Sequence, residues 1–538
     1  MTPLQTWRLL FFLLLAAYCG YYAPYGVNET DGGFLTGLAW QVHQGKTLYA
    51  DVVYVRPPLP VWLRALELYS LPAEYAVLGE RWIFYLKVGA YAWLGAAVLA
   101  QGVRRWQLAA LAFVLSAHCY PAAAWHTVDG ILFGALSIWA FTNTGGRGGA
   151  IVSGLCLVAA LLCKQSFYPL AVVWLVLLLA ERRQWAGAGG RWWALFGALA
   201  ATAAFAIALQ DRQALAAFLR LTSAAAEGNQ ALAHGFTDYF RIPPLLLGAS
   251  AVLLAPAVWW LAGKGGPKRA FLGWALWLLA LASAYAWTVL QRAEFTAPFA
   301  HTRLLFVAAA AWAGVQYWKK HWSAAQSRRF GALLALCWCA ALSWGYNLPV
   351  LFALPWAYAA WDISTSLFQA AWPGRSTPAL PALALILLLG LFRLGYAYVY
   401  RDGPRSAMTE AMGPIFPALM GIRSSPEKAA LYRDLCDLAR RYGPAFKTLP
   451  AFPQANFLAG ARPPLPLDWV VARETGAGTA LVEAAMRQDN VVYFIEKAHA
   501  GRLETDPEMA LTRALLARGR VVEETRFFRV VRGSGTGF

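Results

Sequence analysis

The sequence is poor in charge, and poorest in acid. Of its 538 residues only 14% are charged, with 28 Asp+Glu against 46 Lys+Arg, where a soluble protein carries about 25%. At the same time 59% of residues are hydrophobic and 14% aromatic. That wealth of apolar matter excludes a disordered chain, and collagen-like or low-complexity readings with it. Cysteine is also scarce, with seven scattered residues, of which Cys436 alone follows residue 402. The C-terminal part therefore has no internal disulfide. Cys337-Trp338-Cys339 lies inside an apolar run, where buried thiols are a better reading than metal ligands. The last 137 residues hold no phosphate loop, metal cluster or catalytic triad.

What charge there is falls unevenly. Residues 1–401 hold 28 Lys+Arg and 13 Asp+Glu, while the much shorter 402–538 hold 18 and 15. Of the 26 Trp, 25 precede residue 402, and only Trp469 follows it. The step divides a part of membrane composition, 1–401, from a soluble domain, 402–538. Thirteen apolar segments in the first part are candidate spans: 8–24, 83–103, 107–121, 130–144, 150–163, 166–180, 193–210, 243–263, 270–290, 304–318, 330–346, 348–362 and 378–400. With the N-terminus in the cytosol, the inside segments carry 15 basic residues against two acids, Glu181 and Asp362. This is the positive-inside pattern. The net charge of +18 is thus largely topological and does not speak for nucleic acid. An odd number of spans puts 402–538 outside. No A-x-A site follows the first apolar run, and Tyr18 before Cys19 argues against a lipoprotein site, so the first span is expected to be retained.

Two outside segments are long, 25–82 and 211–242, and a site would be built there. In the first, Glu29 and Asp31 stand just after span one, and Gly32-Gly33 permits a tight turn. Residues 34–43 suit a short amphipathic helix ended by Gly45, and Arg56-Pro57-Pro58 makes an extended corner with a cation. An Asp after span one, then G-x-x-x-Y-x-D, then a basic residue with Pro-Pro, resembles the first outside loop of the GT-C glycosyltransferases. The branch most similar holds protein O-mannosyltransferases, the lipid A aminoarabinose transferase and lipopolysaccharide galacturonosyltransferase-like proteins. The matching residues are Asp31, Gly45, Tyr49, Asp51, Arg56, Pro57 and Pro58. Two departures stand out: Asp31 is followed by Gly32 where the family often has Glu, and Arg56 stands where many members have Lys.

The resemblance implies an all-α polytopic bundle of about thirteen transmembrane helices, of GT-C type, with a C-terminal soluble α/β domain. It implies a sugar moved from a polyprenyl-phosphate donor to an envelope glycolipid, polysaccharide or protein, in the inner (plasma) membrane, with inversion. Asp31 would be the base, with Glu29 or Asp129 orienting the acceptor or binding a metal; a divalent cation is left open. Arg56 and Lys164 would hold the leaving phosphate near Asp31, joined by Arg303, with Tyr49, Asp51 and His126 lining the site. Plainer readings stand beside these. Asp129 before an apolar run also suits a helix N-cap, and Lys164-Gln165 is a lone cation on the outside, against the sidedness trend. Arg292, Glu294, His301 and Arg303 are equally ordinary loop charges, while Tyr346 and Asn347 fall in a segment resembling the family's late Tyr-x-Leu-Pro. The competing classes are a multispan transporter, against which the central spans lack paired ionisable groups, and a non-catalytic envelope-polymer assembly protein.

In the soluble domain, residues 426–442 form an amphipathic pattern ended by Gly443. Residues 479–488 and 506–518 look helical. Residues 467–473, 490–497 and 520–531 suit strands, the last a strand or hairpin.

Overall fold

The structure is a computed structural model that describes residues 1–118, 122–144, 146–180, 190–209, 212–223, 235, 237–290, 302–342, 349–375, 380–395, 398–487 and 491–533. It is mostly helical, with a small C-terminal sheet. Helix α1 (Pro3–Tyr21) is closed at its N-terminus by a capping box between Thr2 and Gln5. Helices α2 (Asp31–His43) and α3 (Leu59–Ser70) belong to the first expected outside segment. Then follow α4 (Ala76–Leu99), α5 (Gly102–Ala117), α6 (His126–Asn143), α7 (Arg147–Leu161), α8 (Pro169–Ala180), α9 (Gly190–Ala208), α10 (Arg212–Ser223), α11 (Pro244–Leu261), α12 (Pro267–Leu290), α13 (Thr302–Trp318), α14 (Ala324–Leu342), α15 (Leu354–Ala371) and α16 (Leu380–Gly395).

Each of the thirteen expected spans carries a helix, but the expected number of crossings is corrected. Among the described residues four helices are long and apolar enough to cross a membrane: Pro3–Tyr21, Ala73–Leu99, Pro244–Leu261 and Pro267–Trp287. A fifth is added if the bent pair Trp192–Ala208 and Arg212–Ser223 is one span. Length is the main reason. Arg147–Leu161 has 15 residues, a rise of about 22 Å, against a hydrocarbon core of about 30 Å. Helix α14 is longer but carries Arg328 and Arg329 near its start.

Charge inside the bundle is paired. Lys87, midway along α4, reaches Asp129 Oδ1 at 2.7 Å and Glu67 Oε1 at 3.2 Å. Arg64 pairs with Glu67 Oε2 at 3.0 Å and with Glu80 Oε2 at 2.5 Å. Thr36 of α2 donates to Glu80, and the Arg64 Nε–H is donated to Thr36. Ionisable groups in an apolar bundle persist only when they meet each other. This chain of five charges ties α3, α4 and α6 together beneath α2.

The tail begins with a two-stranded hairpin, β1 (Tyr398–Val399) and β2 (Gly403–Pro404), followed by the small pair β3 (Glu410–Ala411) and β4 (Arg423–Ser424). Helix α17 (Pro426–Tyr442) is capped by Ser425 and ends at Gly443, φ 77°. A four-stranded sheet has the order β5-β6-β8-β7, from β5 (Phe446–Leu449), β6 (Val492–Glu496), β7 (Arg520–Glu524) and β8 (Phe528–Arg532). The β5–β6 pair is parallel and the others antiparallel. Helices α18 (Thr479–Met486), α19 (Ala500–Thr505) and α20 (Ala510–Arg518) complete it. The strand expected over 467–473 is absent. That segment is an irregular buried run followed by a helical turn, Ala472–Thr475. Trp469, Val470 and Val471 pack against the first outside segment rather than joining the sheet.

The C-terminal part of the chain is joined closely to α2. Gly33 and Gly37 lie inside that helix rather than in a turn before it. A Cβ on Gly33 would stand 2.6 Å from the Gln454 side chain, and one on Gly37 2.6 Å from the Pro453 carbonyl. One helix turn apart, the two glycines clear a face on which the domain sits flush. Beside them Lys447 and Asp468, both fully buried, form an ion pair. Asp468 Oδ2 also accepts from Gln41 at 2.7 Å, and Gln41 in turn accepts from Lys46. Replacing Asp468 with Asn should cost about 3–5 kcal/mol, because Lys447 stays buried without its counter-charge. Replacing both partners by apolar residues of similar size should cost clearly less. Thermal unfolding of the purified chain checks both, and equal costs would count against the ion pair as the source.

Candidate functional site

Asp31 is the first residue of α2, where helix N–H groups favour a carboxylate. The Asn28 side chain accepts from the backbone N–H groups of Thr30 and Asp31, both at 3.1 Å, and so fixes the start of the helix. The Asp31 carboxylate is largely buried. Its Oδ2 accepts from the Tyr400 hydroxyl at 3.0 Å and pairs with Arg401 Nη2 at 3.2 Å. Its Oδ1 accepts nothing from the described residues. Glu29, two residues earlier, pairs with Lys428 of α17 at 2.5 Å. The expected base Asp31 and its neighbour Glu29 are thus both held by cations contributed from beyond residue 400.

The segments that carry the two expected phosphate cations meet where Gln165 reaches the Val55 carbonyl. Arg56 is bound by both oxygens of Glu474, at 2.6 and 2.9 Å, with each residue buried, and its guanidinium lies 5.2 Å from the centre of the Phe34 ring. Lys164 is buried, and the Gln165 amide beside it donates to the Val55 carbonyl at 2.8 Å. The ion partner of Asp31 is Arg401 instead. Phe34, one turn along α2, links the two regions, with its ring 5.4 Å from Trp469 and 5.8 Å from His126. His126 is buried at the start of α6 and stacks beside Tyr54.

The remaining expected residues are placed as follows. Tyr49 is buried at φ 69°, and its hydroxyl donates to the Arg56 carbonyl at 2.7 Å. Asp51 is exposed and accepts from the Thr47 N–H, closing its own turn. Asp129 meets Lys87 rather than Asp31. Arg303 lies at the start of α13. Arg292, Glu294, His301, Tyr346 and Asn347 lie outside the described residues. Among those described, no three His, Cys, Asp or Glu side chains could together hold a metal ion.

A cleft opens between the start of α2 and the C-terminal part of the chain. Thr30 and Arg401, the chain neighbour and the ion partner of Asp31, line it together with Trp469, Arg473, His499 and Arg502. Arg473 stacks over Trp469 at 5.0 Å. Sequence reading missed Tyr400, Arg401, Lys428 and Glu474. For the first two the available signal was an aromatic-cation pair directly after the last apolar run.

Glu496 at the end of β6 is buried behind this cleft, and Ala451 N–H donates to it at 2.8 Å. Burial pushes its carboxyl up to about 8, with nearby Glu29 adding to the rise and the Ala451 hydrogen bond and Lys428 opposing it. The folded chain therefore holds this proton more tightly than the unfolded chain, whose carboxyl keeps its ordinary value of 4.5. Stability from this group is present below that value and is lost as pH rises toward 8. Glu496→Gln should flatten the fall in unfolding temperature across that window. A variant that tracks the wild type throughout would refute the assignment.

No family model matches the chain, and no curated protein matches it in sequence. Solved structures do resemble it. ArnT from Cupriavidus metallidurans bound to undecaprenyl phosphate is 13% identical, with 99% of this chain and 98% of that one covered, at a TM-score of 0.43. The same protein in the apo state gives 14% identity and the same score. The Archaeoglobus fulgidus oligosaccharyltransferase in its apo form is 12% identical, with 95% of this chain and 72% of that one covered, at a TM-score of 0.47. ArnT is an aminoarabinose transferase, and both proteins are GT-C glycosyltransferases. Likenesses of this size carry no residue role from one chain to the other.

Proposed function

We propose that this chain is an integral membrane glycosyltransferase that moves a sugar from a polyprenyl-phosphate donor to an envelope acceptor on the outer face of the membrane. The observation that carries the reading is the placement of Asp31. It begins a helix in the loop whose residues resemble the GT-C first outside loop, lies between two residues that bear on a cleft, its chain neighbour Thr30 and its ion partner Arg401, and keeps one carboxylate oxygen unengaged among the described residues. The sidedness belongs to the same proposal, with the N-terminus in the cytosol and residues 402–538 outside. The excess of basic residues on the expected inner side supports it.

The chemistry needs little covalent help from the protein. The acceptor hydroxyl oxygen attacks the anomeric carbon as the bond from that carbon to the phosphate oxygen breaks. The lipid phosphate leaves with the electron pair, and the anomeric centre is inverted. Asp31 Oδ1 takes the hydroxyl proton, and cations meet the leaving phosphate. Lys164 is the residue for the second task. Arg56 already gives two N–H groups to Glu474, so it adds less to the phosphate and more to joining the loop to the soluble domain. Which sugar and which acceptor are used depends on the shape of the cleft.

Incubating the purified chain with a panel of polyprenyl-phosphate sugars and following polyprenyl phosphate by mass spectrometry tests the reading. Comparing envelope glycolipids and glycoproteins with and without the chain identifies the acceptor. Asp31→Asn should slow transfer by about 10²–10⁴-fold while donor binding survives. Wild-type turnover in that variant would remove Asp31 from the role. A transporter would release no polyprenyl phosphate from any donor.

A further inference from the structure

Three consecutive residues of the hairpin turn after α16 reach back to the first outside loop. Tyr400 and Arg401 both engage Asp31 Oδ2, and Asp402 Oδ2 accepts from the Val27 N–H at 2.9 Å. Asp402 is itself fixed by the hydroxyls of Ser424 and Ser425. The strand below contributes Val399, against which Gly26 packs so closely that a Cβ there would stand 2.3 Å from Val399 Cγ1. The turn is therefore anchored on both sides of the two residues that touch Asp31.

The backbone at the turn adds a second observation. Arg401 adopts φ 59°, the left-handed region that is disfavoured for a residue with a Cβ. Glycine or asparagine would normally stand at such a position. The arginine there is not excused by burial of its stem, for its side chain is 38% exposed. What it does is chemical: its Nε–H is donated to the Tyr400 hydroxyl at 2.9 Å, and its Nη2 reaches Asp31. The Tyr400 hydroxyl then donates its own hydrogen to Asp31. Both donors act on the same carboxylate oxygen, which leaves Oδ1 for another partner.

We propose that Tyr400 and Arg401 are positioning residues for the base Asp31, fixing its carboxylate by Oδ2 so that Oδ1 alone is presented to the acceptor hydroxyl. The proposal rests on the reading of Asp31 given above. It assigns the linker between membrane part and soluble domain a part in the reaction, and it explains why a strained arginine is kept where glycine would fit the backbone.

The test uses the purified full-length chain with the polyprenyl-phosphate sugar found competent above. Arg401→Gly removes the guanidinium and relieves the backbone at one stroke. Turnover should fall about 10- to 100-fold, the KM for donor should stay within about twofold, and the unfolding temperature should be unchanged or higher. Guanidinium ion added below denaturing concentration should restore part of the rate. Arg401→Asn, which also suits a positive φ, guards against a fault peculiar to glycine and should behave alike. Tyr400→Phe should lower turnover by a smaller factor with the same KM. Unchanged turnover in both Arg401 variants overturns the proposal. So does a loss of rate that follows a loss of unfolding temperature and is not rescued by guanidinium, since that marks a structural brace. Asp31→Asn is run alongside. If it turns over normally, the base assignment fails and this inference with it; if it is slow while the Arg401 variants are normal, only the inference fails.

Discussion

Lys447 and Asp468 are fully buried in each other's company, and much of the site depends on that pairing. A charge removed from water needs its counter-charge and its hydrogen bonds in place. Asp468 meets that need with Lys447 on one side and Gln41 of α2 on the other. The position of α2 is therefore set by the soluble domain, and Asp31 begins α2. The glycine-cleared face at Gly33 and Gly37 permits the approach, and the Arg56–Glu474 pair repeats the pattern further along the loop. The domain is accordingly part of the site's framework rather than an appendage to it.

A second constraint works from below. Lys87, Glu67, Arg64, Glu80 and Asp129 neutralise one another within the bundle. With α2 joined to that chain through Thr36, the first loop is held from the membrane side and from the soluble side. Asp129 serves this lower frame. An acid at the head of a helix looked equally suited to a cap or to a site, and in the structure it pairs with Lys87, midway along α4.

The sequence made the helices legible because apolar runs of that length have few other uses. It did not make the number of full crossings legible, since composition does not show where a helix stops short of the bilayer thickness. Asp31 was visible from its place in a patterned loop. Its partners were not, because Tyr400 is 369 residues away and no local pattern encodes such a contact. The failed strand at 467–473 has a related cause. Its Trp-Val-Val run suggested a sheet, but Asp468 is bound to Lys447 and Gln41 and the run is spent in the core. Long-range ion pairs overrode local preference there.

The distances along the chain have a consequence for how such a protein comes to life. Asp31 is made at the start of synthesis, but Arg401, Lys428, Asp468 and Glu474, which settle its loop, are made near the end. A ribosome has to deliver nearly the whole chain before the first loop can take its final shape. Until then Asp31 and Glu29 lack the ion partners they have in the folded chain. The order of manufacture thus makes this part of the fold one of the last to be completed.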